Sequence, residues 1–78
     1  MIELKGNREC FFLKSDNVEV NNRSGEIVDN NKIKFVFFYE PTEMIEFLYS
    51  KRVKFSVECF GHGSLIYIDL NDCVFIDE

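Results

Sequence analysis

The sequence predicts an α+β fold, a curved antiparallel β-sheet of five to eight strands with one short α-helix packed on one face. Three observations carry that expectation. Apolar and polar residues alternate with period two along most of the chain, the pattern of strands with one buried face. Residues 42–50 instead space their apolar groups by three and four, as a helix does. Turn-forming groups at Gly6-Asn7-Arg8, Gly61-His62-Gly63 and Asn71-Asp72 cut the alternation into short pieces.

The first piece is a hairpin, Ile2 to Lys5 and Glu9 to Lys14, around a glycine free to take positive φ. Between Asp16 and Asn31 lie five of the seven asparagines, around the short apolar pieces Val18-Glu19-Val20 and Glu26-Ile27-Val28. These predict two short edge strands or a partly irregular loop. Lys32 to Glu40 is the strongest strand, with Ile33, Phe35, Phe37 and Tyr39 on one face and Val36 and Phe38 on the other. Apolar groups on both faces predict a central strand covered on both sides.

Pro41 ends that strand and opens the helix, since its fixed φ suits a first helical turn. Met44, Ile45, Leu48 and Tyr49 form its inward side, with Phe47 at the margin. Glu43 and Glu46 near its start and Lys51 and Arg52 past its end complement the helix dipole. Paired carboxylates do acid–base work only in a desolvated cleft, and an outward helix face offers none. A final meander follows, with Val53, Phe55, Val57 and Cys59 on one face of its first strand, Leu65 to Leu70 returning, and Cys73 to Asp77 closing.

With 78 residues the chain has room for one domain, residues 1–78, and nine Phe with three Tyr supply a dense core for that size. Phe, Ile, Asn and Lys are abundant while Ala, Gln and Trp are absent, the bias of an AT-rich coding sequence. Three cysteines without a Cys-x-x-Cys motif fit a reducing compartment better than a disulfide scaffold. The charged start Met1-Ile2-Glu3-Leu4-Lys5 does not resemble a signal peptide, and no apolar run is long enough for a membrane span. The expected location is the cytoplasm.

Charge is distributed unevenly. Residues 1–54 carry nine acidic and nine basic residues, so the net charge of −5 belongs to Glu58, Asp69, Asp72, Asp77 and Glu78 in the last meander. A sheet end of one sign can steer a cationic partner, or simply discourage pairing between sheets. Basic residues Lys32, Lys34, Lys51, Arg52 and Lys54 interleave with aromatics, a feature shared with sheets that stack single-stranded bases. Phe35-Val36-Phe37-Phe38 matches the second half of the RNA-recognition sheet signature, but Asn31 to Lys34 do not match the first half. An acidic total and a single helix also argue against nucleic acid.

Cys59-x-x-His62, followed by Cys73, is the one grouping with metal-ligand spacing, and Asp72 or Cys10 would have to complete a tetrahedral zinc site. Because Cys59 shares a face with Val53, Phe55 and Val57, the simpler reading is a buried apolar cysteine. A nucleophile–base pair of Cys73 or Ser64 with His62 would need an orienting acid and an oxyanion hole. Gly61-His62-Gly63-Ser64 has the composition of a hairpin tip. Asp69-x-x-Asp72, with Asp77 beyond it, lacks the ligand density of a calcium loop and reads as turn and solvated acids.

These readings lead to a non-enzymatic protein-binding module without cofactor, with partner-binding residues Glu58, His62, Asp69, Asp72, Asp77 and Glu78. The partner would present a basic, nucleic-acid-binding surface. Small acidic domains of this bias suggest an inhibitor of phage or mobile-element type, for example an anti-defence protein. The alternative is a homo-oligomer that binds a small ligand or nucleotide near His62, and below it a metal or catalytic site at Cys59, His62 and Cys73.

Overall fold

In a computed structural model of the chain, residues 1–76 are described; Asp77 and Glu78, two of the expected partner-binding residues, lie outside the described residues. Ile2–Gly6 (β1) and Phe11–Leu13 (β2) form the expected hairpin, with Leu4 opposite Leu13 and Gly6 opposite Phe11. Gly6 adopts φ 118°, and a Cβ there would collide with the Cys10 carbonyl oxygen, so this turn requires glycine. The Asn7 Oδ1 accepts from the Glu9 and Cys10 N–H groups at 2.9 and 3.1 Å.

Residues 16–25 contain no strand. The Asn17 Oδ1 accepts from the Glu19 N–H at 2.8 Å, and its carbonyl accepts from Val20 and Asn21, so Val18 to Val20 form a turn instead of an edge strand. Asparagine offers the backbone local partners that compete with a ladder, and here they win. Glu26–Val28 (β3) is a strand. Left-handed residues Asp29 and Asn30 then turn the chain into Lys32–Phe37 (β4), with Ile27 opposite Ile33.

Beyond the helix Thr42–Lys51 (α1), the hairpin Phe55–Phe60 (β5) and Gly63–Asp69 (β6) completes a four-stranded sheet in the order β3-β4-β6-β5. The last step departs from a meander. A 3₁₀ turn at Leu70–Asp72, capped by the Asp69 Oδ1 accepting from the Asn71 N–H at 2.8 Å, redirects the chain. Cys73–Ile76 (β7) then leaves β6 and pairs with β1, parallel, with Ile2 opposite Cys73. The fold is therefore α+β with two sheets, the second being β2-β1-β7, and one of its pairs is parallel where an all-antiparallel sheet was expected.

The sheets bury their inner faces together. Ile2, Leu4, Phe11 and Leu13 come from one, and Ile33, Phe35, Phe37, Ile66 and Ile68 from the other. A bridge between Phe12 and Ser24 stitches them, reinforced by the Leu13 N–H donating to the Arg23 carbonyl at 2.7 Å. Gly25 sits where the layers meet. A Cβ on it would lie 2.7 Å from the Phe11 ring, 3.0 Å from Phe35 and 3.1 Å from Ile33. Gly25→Ala is expected to cost about 1–3 kcal/mol by overpacking, read as a lower urea midpoint with an unchanged slope.

Helix α1 inserts Met44, Phe47 and Leu48 into this core. Tyr49, expected inside, is 69% exposed, and Phe47, expected at the margin, is buried. Spacings of three and four are satisfied by both the 44–48 and the 45–49 stripes, and packing selects the first. The second face of β4 is also not covered: Val36 and Phe38 are exposed, and β4 stops at Phe37. Apolar residues on both faces of β4 thus mark one core face and one outer face left open to solvent.

Candidate functional site

Ladder registers define what stands together on that outer face. Lys34 pairs with Tyr67, Val36 with Leu65, and Phe37 with Ser64, while Glu58 of β5 pairs with Leu65 and Phe60 with Gly63. Since side chains alternate between faces, Lys34, Val36, Leu65, Tyr67, Glu58 and Phe60 share the outer side. Phe38 continues the row of Lys34 and Val36, and all three line one groove with Arg23 to Glu26.

At the end of the sheet near the β5–β6 turn, Val36, Phe38, Leu65 and Phe60 make an apolar patch. Phe38 is 72% exposed and Phe60 44% exposed. The patch has a structural basis in a glycine. A Cβ at Gly63 would lie 2.8 Å from the Phe60 ring and 2.7 Å from the Phe37 carbonyl oxygen, so the bare backbone lets that ring lie across it. Exposed large apolar groups gathered in one place mark interaction surfaces, whereas scattered ones do not.

Charge borders the patch on two sides. On the β3 side, Lys34 Nζ stands 3.6 Å from the Glu26 carboxylate, with Arg23 lining the same groove. Glu58 stands on the β5 side. Of the five acids of the expected C-terminal surface, the three that are described, Glu58, Asp69 and Asp72, do not stand together. Asp69 faces Lys32 across the β4–β6 ladder and caps the 3₁₀ turn. Leu65, opposite Glu58, is four residues along β6 from Asp69, which places the two carboxylate-bearing positions roughly 14 Å apart. Asp72 is half-buried beside Cys73, at the far end from His62. Of the predicted partner-binding residues that are described, Glu58 and the exposed His62 at the β5–β6 tip adjoin the patch.

The inner side of the same hairpin holds a second feature. Pro41, Ile45, Val57, Cys59, His62 and Ser64 line an open groove of about 350 Å³ between α1 and β5. Cys59 is exposed there, not buried as its alternation predicted, because β5 is an edge strand and α1 stands off its far end across the open groove. Cys73 belongs to the other sheet, so the structure brings Cys59 and His62 to one groove and leaves Cys73 out of it. Among the described residues no three His, Cys, Asp or Glu side chains approach closely enough to hold a metal ion.

Cys73 has its own environment. Burial, then the nearby carboxylates of Asp72 and Asp69, push its thiol up to about 12, with the chain's N-terminal amine acting in the opposite direction. A thiol so held is not a nucleophile at neutral pH. The patch residues Val36, Phe38 and Phe60 were legible as apolar but not as exposed; their signal was the alternation of a second apolar set on β4 without an element to cover it. No helix among the described residues is long and apolar enough to cross a membrane. Comparison with known proteins gives no match: no family model fits the chain, and no curated protein or solved structure is detectably similar to it.

Proposed function

We propose that this chain is a non-enzymatic protein-binding module that meets its partner through the Phe38–Phe60 end of the outer sheet face. The observation that supports the reading is the clustering of Val36, Phe38, Leu65 and Phe60 at one sheet end, with two of these aromatics substantially exposed. Aromatic groups of this kind supply most of the energy at protein interfaces, while a polar rim supplies register and steering. Glu58 gives the rim an acidic side. A partner with Lys or Arg around an apolar hollow fits it, and a nucleic-acid-binding surface blocked by an inhibitor of phage or mobile-element type is the concrete version. The three free thiols suit a cytoplasmic setting for that encounter.

Affinity capture from the native host tests the reading when wild type is compared with Phe38→Asp and with Asp69→Lys. Phe38 is outside any strand and mostly solvated, so the first substitution is expected to leave the circular dichroism spectrum unchanged and to cut capture of the wild-type partner at least tenfold. Asp69→Lys, far from the patch, is expected to leave capture within about twofold. Equal capture by folded Phe38→Asp would remove this face from the interface.

A further inference from the structure

Strand β5 forms one edge of the four-stranded sheet and, among the described residues, pairs only with β6. Its sequence, Phe55-Ser56-Val57-Glu58-Cys59-Phe60, has no proline and no bulge, so its outer row of N–H and C=O groups is a template for another strand. The inner face of β5 is apolar by sequence yet open over its second half: Phe55 packs against the core, whereas Val57 is 38% exposed and Cys59 is open. Next to it, the exposed Tyr49 ring stands edge-on to Phe55 at 5.3 Å between centroids.

We propose that a second copy of this chain pairs antiparallel with β5, about a twofold axis at Ser56, joining the two four-stranded sheets into one. Charge selects that register. A two-fold at Ser56 sets Phe55 opposite Val57 of the second copy and Lys54 opposite its Glu58, so two Lys–Glu pairs form on the outer face, one on each side of the axis. Directly opposed residues bring their Cβ atoms to roughly 5 Å, within reach of an ion pair. An axis at Val57 places Glu58 against Ser56 and leaves both charges without partners. An axis at Glu58 opposes two carboxylates. An axis at Phe55 would oppose Glu58 to Arg52, but Arg52 is the left-handed C-cap of α1 and does not continue the strand. The Ser56 register pairs Lys54 with Glu58 while covering apolar groups, because Tyr49 and Phe55 then stand beside Val57 of the second copy, and Cys59 stands opposite its Val53. The Phe38 and Phe60 rings are left free at the two ends of the joined sheet, and Glu58 is the one residue this contact shares with the rim of the proposed partner surface.

A charge-swap cycle on the full chain tests the register. Sedimentation equilibrium is expected to show a concentration-dependent dimer for wild type. Lys54→Glu and Glu58→Lys, each alone, set like charges opposite one another twice and are expected to raise the dimer dissociation constant by about tenfold or more. The double variant Lys54→Glu/Glu58→Lys restores both pairs with reversed sign and is expected to return to within about threefold of wild type. Both positions are exposed, and circular dichroism confirms that each variant is folded before it is weighed. A monomeric wild type at the highest soluble concentration overturns the proposal. A dimer that the single swaps leave unchanged, or that the double swap does not rescue, overturns the Ser56 register.

Discussion

Phe35→Ala is expected to remove about 3–5 kcal/mol of stability, the largest effect of any single substitution considered. Phe35 is 1% exposed at the middle of β4, where its ring meets the Gly25 backbone and faces the three-stranded sheet through Phe11. Truncation leaves a cavity where two sheets meet, and neither sheet can collapse into it without breaking the Phe12–Ser24 stitch. A domain of this size has only about 5–10 kcal/mol in hand, so the variant is expected to be largely unfolded at moderate urea where wild type is folded. Equilibrium unfolding followed by circular dichroism measures it. A loss under about 1 kcal/mol would mean that the sheets are not packed on one another through this ring.

Thiol labelling at pH 8 separates the three cysteines by environment. Cys10 and Cys59 are exposed and are expected to react with iodoacetamide at rates typical of free thiols, whereas Cys73 is expected to be at least a hundredfold slower. The cause is its thiol held near 12 by burial and by Asp72 and Asp69, against 9.0 for an unperturbed cysteine. The linkage follows from the sign of that shift. Folding raises the pKa, so the protonated thiol is the form the fold favours; its contribution is complete below about pH 9 and is lost as pH rises towards 12. Cys73→Ser is accordingly expected to flatten the alkaline decline of stability over that window. Mass spectrometry of quenched samples reads the labelling, and equal rates for Cys73 and Cys59 would contradict the placement of β7 beside β1.

The inward face of β4 was legible because period two is a purely local signal: Ile33, Phe35 and Phe37 are buried on the face the alternation gave them, while Tyr39, past the end of the strand, is exposed. What went unread was non-local. Nothing near Cys73 says that its strand pairs with Ile2 instead of continuing beside β6, since a meander is the default for neighbouring strands. Burial of β5 was read from its apolar alternation, but burial needs a closely packed covering element, and Val57 and Cys59 face Pro41 and Ile45 only across an open groove. The charge map did not show how the described acids are spread, for a related reason. A count along the chain groups Asp69 with Glu58, whereas the ladder sets Asp69 beside Lys32. Glu58 and His62 remained with the candidate site because both belong to one hairpin, the only scale at which sequence neighbours stay spatial neighbours.

The parallel pairing of β1 with β7 also governs the order in which the molecule can assemble. The β5–β6 hairpin closes across two residues, Gly61 and His62, and such hairpins form in microseconds. Joining Ile2 to Cys73 instead closes a loop of about 70 residues, at an entropy cost of roughly 4 kcal/mol before the first rung repays any of it. The four-stranded sheet and α1 shorten that search by bringing the segment after Asp69 back towards the core through the 3₁₀ turn. Until then Ile2 and Leu4 have one strand neighbour instead of two. During that interval β1 presents a bare apolar edge, so the N-terminal hairpin is the last part of the chain to become safe from mispairing.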